Sequence, residues 1–116
     1  MTEKQKELLL RDLCGRLPYG VIVKDRNGVH ELTAGNTEFT DLLYNSKCNI
    51  KPYLFPLSSM NEEQSKIYHE LIGGMFGTSA LINFEVLEDF FHKNHLDYRG
   101  LIPMGLAIDA TGLDIY

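Results

Sequence analysis

The spacing of apolar positions changes period several times along the chain, and each change marks an element. Leu9, Leu10, Leu13 and Cys14 recur at helical spacing behind a Thr2 to Gln5 capping-box pair, which predicts a first helix from about Glu3 to Cys14. Gly15 is suited to the left-handed residue that ends it, and Pro18 blocks continuation. The period then drops to two. The β-branched run Val21-Ile22-Val23 and the segment Val29 to Thr33 are joined through Asn27-Gly28, which predicts a β-hairpin. A two-residue loop at that dipeptide sets Lys24 opposite Glu31, Asp25 opposite His30 and Val23 opposite Leu32. A three-residue loop loses those complementary pairs, so the first register is favoured.

Residues 34–49 follow neither period well: Glu38 to Tyr44 fits a short strand or a helical turn, and a short strand or turn that returns the chain to the sheet is the expectation. Ile50 to Phe55 reads as a third strand. Pro52 has no amide hydrogen, which puts that strand at a sheet edge or interrupts its ladder. Either Ser59 with Glu62 or Asn61 with Gln64 can cap the helix that follows, where Ile67, Tyr68, Leu71, Ile72 and Met75 share one face until Gly77 breaks the run. A further helix, about Ala80 to Lys93, carries the stripe Leu81, Phe84, Leu87 and Phe91. Its basic last turn suits the negative end of the helix dipole, and Asn94 is the expected left-handed cap. From Leu96 to Tyr116 no helical period remains, and Leu106-Ala107-Ile108 is the one candidate strand.

The expected architecture is therefore a single α+β domain over residues 1–116. It has a small, mostly antiparallel sheet, made of the hairpin plus one or two further strands, with about three helices packed on it. Leu10, Leu13, Val21, Val23, Leu54, Ile67, Leu71, Leu87 and Phe91 are the expected core.

Composition narrows the setting. At 44% apolar and 23% charged residues the chain is of ordinary globular make-up, and no apolar run is long enough for a signal peptide or a membrane span. Cys14 and Cys48 lack the spacing of a disulfide framework or a zinc knuckle, so both are expected as reduced packing thiols in a cytoplasmic protein. The net charge is −5, with eight Lys/Arg against seven Asp/Glu in residues 1–51 and three against nine in residues 52–116. That balance argues against broad duplex nucleic-acid binding, which needs a basic face, although a local basic patch could lie within it.

Two blocks carry a resemblance: Ile50 to Gln64, around Lys-Pro-Tyr-Leu-Phe-Pro-Leu-Ser-Ser-Met, and Asn94 to Gly112, around Asp-Tyr-Arg-Gly-Leu-Ile-Pro-Met-Gly. Together they resemble a family of short uncharacterised proteins from gut Bacteroidetes and their phages or prophages. The likeness implies a bacterial or phage-infected cytoplasm. It transfers no activity and no site residues.

Candidate chemistry is sparse. His92 and His95 with Asp97 could supply three metal ligands, but zinc sites draw on a second well-spaced cluster, so helix capping is the plainer role. Asp97, Tyr98 and Arg99 offer a carboxylate, a phenol and a guanidinium on one tight segment, suited to an anionic or peptide ligand or to anchoring a loop. No serine or cysteine lies in a nucleophile motif, and Glu62 and Glu63 diverge by about 100° on a helix, too far apart to work as an acid and base pair. No cofactor motif is present and no cofactor is expected. The sequence reading is thus a small cytoplasmic protein-interaction or regulatory module that is not an enzyme and contacts another protein or a second copy of itself. Its expected contact surface is Tyr53 with Asp97, Tyr98 and Arg99. The alternative is a metal-dependent or hydrolytic enzyme using His92, His95 and Asp97.

Overall fold

The computed structural model describes residues 1–44, 49–74 and 80–116. Thr2 opens α1 (Glu3–Arg16) with the expected reciprocal cap: its hydroxyl accepts from the Gln5 amide, and the Gln5 side chain accepts from the Thr2 amide. The helix does not end at Gly15. It continues to Arg16, and a 3-10 turn over Leu17–Tyr19 leads to Gly20, which holds the left-handed conformation at φ 76°. Gly15 serves a different need, because a Cβ there would stand 2.8 Å from Cε1 of His92, so the missing side chain is what lets that ring approach α1.

The hairpin forms from β1 (Ile22–Asp25) and β2 (Gly28–Glu31), but with its register two residues away from the expected one. Val23 faces His30 and Asp25 faces Gly28, so the turn residues are Arg26 and Asn27. Asp25 sets this turn by accepting from the Asn27 amide at 2.8 Å, and Gly28 absorbs a φ of 106°. A slip of two leaves every side chain on its expected face, so Val21, Val23 and Leu32 still enter the core. Asp25 and His30 also still meet, diagonally, at 2.7 Å.

Residues 37–44 form a helix, α2 (Thr37–Tyr44), rather than the expected strand or turn. Asn36 starts it by accepting from the Phe39 amide, and the same side chain donates to Asp25, so the hairpin's inner pair fixes where the helix begins. Leu42 is fully buried and Phe39 packs beside it at helical spacing.

The third strand, β3 (Lys51–Pro56), is central rather than an edge. It runs antiparallel to β1, and parallel to the short strands β4 (Leu96–Asp97) and β5 (Ile108–Asp109) on its other side. The sheet is therefore mixed, with order β2-β1-β3-β4 and β5 also on β3, and not mostly antiparallel. Pro52 acts through the other route open to it. The β1–β3 ladder covers only Val23 with Pro52 and Lys24 with Lys51, and where it would go on to pair Ile22 with Tyr53 the strands part. The Tyr116 hydroxyl fills that gap, accepting from the Ile22 amide at 2.8 Å and donating to the Tyr53 carbonyl at 2.8 Å.

After a 3-10 turn, Asn61 and Gln64 cap α3 (Glu62–Gly74) reciprocally, and Ser59 instead donates to the Pro56 carbonyl. The last helix is α4 (Ala80–Lys93), which brings the helices to four among the described residues. Its left-handed exit residue is His95, at φ 56°, while the Asn94 side chain donates to the Phe90 carbonyl and accepts from Gln64. Met75, Gly77 and Cys48 lie outside the described residues, as does the Leu81 side chain.

Consecutive residues of β3 point to opposite faces, and each face meets its own apolar cluster. Leu54 joins Leu9 and Leu13 of α1, the hairpin's Val21 and Val23, Leu42 of α2, and Leu101. Phe55 packs against the second cluster, Leu87, Phe90 and Phe91 of α4 with Leu96, to which α3 adds Tyr68 and Leu71. Of the expected core, Leu13, Val21, Val23, Leu54, Leu87 and Phe91 are buried. Leu10 and Leu71 are half-buried, whereas Ile67 and Cys14 are exposed. The exposed Cys14 is a surface thiol rather than a packing residue. No helix among the described residues is long and apolar enough to cross a membrane.

Candidate functional site

Of the residues proposed from sequence, His92, Tyr98 and Arg99 lie in a buried polar seam between α1, α4 and the segment after β4. Asp12 and Arg16 are one helical turn apart on the α1 face that also carries Leu9 and Leu13, and both are wholly buried. Arg16 Nε donates to Asp12 Oδ2 at 2.8 Å, its Nη2 donates to the Leu96 carbonyl at 2.6 Å, and Arg99 Nε donates to Asp12 Oδ1 at 3.1 Å. One carboxylate thus holds two guanidiniums, and Arg16 pins β4 to the helix. The spacing of Leu9, Asp12, Leu13 and Arg16 as a single helical stripe was the available signal, because it places a charged pair on the apolar face.

Asp97 does not face solvent or the histidines. Its two oxygens accept from the Leu101 and Ile102 amides at 2.8 and 2.9 Å, which closes the turn after β4. Tyr98 is half-buried, stacked on Phe91 at 4.7 Å, with the Arg99 guanidinium 4.7 Å from its ring. Burial pushes its phenol up to about 12, with Arg99 acting the other way. Burial, then the Arg16 charge, pulls His92 down, and its Nε2 shares a hydrogen bond of 2.8 Å with the Tyr98 hydroxyl.

His95 lies apart from this pair, stacked on Tyr116 with ring centroids 3.6 Å apart. Burial and the Arg16 charge lower it to about 4. Its Nδ1 and the Nη1 of Arg16 are the two buried side-chain atoms without a partner among the described residues. His92, His95 and Asp97 are therefore committed to different neighbours, and no group of three His, Cys, Asp or Glu among the described residues is placed to hold a metal. Tyr53 is only 6% exposed on the central strand, so it offers no docking surface. Arg99 anchors a loop, with its side chain 15% exposed.

The exposed apolar surface lies elsewhere. Glu63, Ile67 and Leu71 of α3 face Val86, Phe90 and Lys93 of α4 across a trough of about 670 Å³, with Tyr19 and Asn94 at its margins. Ile67, expected in the core from sequence, is 39% exposed, and Val86 is 44% exposed. Tyr19 donates its hydroxyl to Asp89 at the rim. Comparison with protein-family models, curated proteins and solved structures found no match to this chain.

Proposed function

We propose that this chain is a non-enzymatic protein-interaction module of the cytoplasm and that its contact surface is the trough between α3 and α4. The observation that carries the reading is the paired exposure of Ile67 and Val86 over a floor made by Leu71 and Phe90. Two packed helices with apolar side chains lining the trough between them suit the apolar face of one further helix, read by anchors at helical spacing. Charge selects its flanks. Glu63 and Asp89 line the trough together with Lys93, in a half of the chain with nine Asp/Glu to three Lys/Arg, so the fitting occupant is an amphipathic helix of another protein with basic flanks. The same acidity opposes face-to-face pairing of two copies. An unpaired surface thiol at Cys14 accords with a reducing compartment.

The test uses the full chain and two synthetic amphipathic helical peptides that share an apolar face and differ only in Lys or Glu flanks. Saturable binding of the Lys-flanked peptide, with amide shifts at Ile67 and Val86, is expected, and the Ile67→Glu/Val86→Glu double variant should lose it while keeping its melting profile. Absence of binding, equal binding of the Glu-flanked peptide, or binding that survives the double variant overturns the reading. A concentration-dependent dimer abolished by the same double variant replaces it with self-association.

A further inference from the structure

Lys24 and Lys51 stand directly opposite each other across the β1–β3 ladder, which is an arrangement that costs stability unless something offsets it. Both are exposed, and neither ammonium forms an ion pair among the described residues. Arg26, in the hairpin turn, brings a third cation to the same place, while its guanidinium also reaches Asp41 at 3.4 Å. These three side chains line a concavity of about 350 Å³ whose remaining walls are Asp25, Asn49 and Ile108. The one carboxylate lining the hollow does not neutralise the two lysines, because Asp25 is turned inward and accepts from His30 Nε2, Asn36 Nδ2 and the Asn27 amide. A chain of net charge −5 thus concentrates three cations on one hollow at the end of its central strand pair.

We infer that this hollow binds a small phosphomonoester. The two ammonium groups match the two charges of a dianionic phosphate, and its arrival turns the Lys24 and Lys51 repulsion into a shared attraction. Asn49 offers an amide to a polar substituent, and Ile108 with the lysine stems gives an apolar wall for the organic part. The volume falls in the range of small-ligand sites. A polymeric anion fits less well, since the cations form one concave cluster rather than a stripe and the rest of the chain is acidic. The site lies on β1, β3 and β5, away from the α3–α4 trough, and stands or falls independently of it.

Titration of the isotope-labelled full chain with adenosine monophosphate and, separately, with adenosine tests this. Saturable amide shifts confined to residues around Lys24, Asn49, Lys51 and Ile108 are expected with the phosphate and none with the nucleoside. The Lys24→Gln/Lys51→Gln variant should bind at least about tenfold more weakly, the loss of about 1.4 kcal/mol of charge-assisted contact. Without ligand that variant should melt no lower than the unaltered chain, because a repulsion has been removed. Equal response to adenosine, shifts scattered over the surface, or unchanged affinity in the variant would overturn the inference. So would a single-stranded oligonucleotide or a phosphopeptide that binds the same residues more than about tenfold tighter than the mononucleotide, since a macromolecular anion would then be the ligand.

Discussion

The seam around Asp12 and the trough around Ile67 invert the usual distribution of side chains. In the seam, charge is buried: Asp12 and Arg16 are fully enclosed and Arg99 nearly so. In the trough, aliphatic groups are exposed on helices whose other faces build the second core cluster. The difference separates two kinds of requirement. A buried ion group is held because removing one member strands the others in a poor solvent, so its residues report on folding. An exposed apolar pair adds little to folding and is free to report on binding. Arg99 and Tyr98 resemble ligand-binding residues in sequence and prove to belong to the first kind, whereas Ile67 resembles core and belongs to the second.

The contrast is open to direct attack, and the largest effect should come from Asp12→Ala. It leaves two guanidiniums without their shared carboxylate and should cost about 3–5 kcal/mol in urea melts. A loss under about 1 kcal/mol would show that the seam admits water and does not hold the fold.

Acid should act next most strongly, through His95. Its folded value of about 4 lies below the 6.5 of a free imidazole, so the unfolded chain takes up this proton first as pH falls. The associated stability is complete above pH 6.5 and disappears between 6.5 and about 4, an effect on the order of 2 kcal/mol. His92, also depressed, adds in the same direction. His30 opposes them, because its bond to Asp25 raises it and stabilises the fold below 6.5, with loss as pH rises through the raised value. His95→Asn, tolerated at a left-handed φ, should flatten the change in urea midpoint between about pH 7 and about pH 5. An unchanged slope would remove His95 from the acid response.

Tyr116→Phe is expected to cost about 1–2 kcal/mol, since the Ile22 amide and the Tyr53 carbonyl both lose the hydroxyl between them. Faster amide exchange at Ile22 would locate the damage. Ile67→Ser marks the other end of the scale and should stay within about 0.5 kcal/mol of the unaltered chain in the same melts. A loss above about 2 kcal/mol would make the trough part of the core and end the comparison.

Local signals carried much of this fold. The caps at Thr2 and Asn61, the hairpin and the amphipathic character of α3 and α4 depend on groups within a few residues of one another, and period and propensity report them directly. The site was less legible. Asp97, Tyr98 and Arg99 stand out in sequence as an unusual polar group, but whether such a group faces outward depends on distant partners, as with Arg99 and Asp12, 87 positions apart, which no local pattern contains. Strand and helical turn stay undecided in sequence for α2, because its first turn is tied to Asp25, in another element.

What the amino-acid order determined by itself was where α1, the hairpin, β3, α3 and α4 form and which of their faces are apolar, since backbone sterics and side-chain spacing act over one or two turns. Tertiary structure alone decided that the proline-bearing strand lies at the centre, that β4 and β5 join it in parallel, that Arg16 is interior and Ile67 is not, and that Lys24 meets Lys51. Each of these outcomes is a pairing between distant segments. It is settled by which combination buries the most apolar surface while leaving the fewest polar groups unpaired, a quantity that belongs to the whole chain.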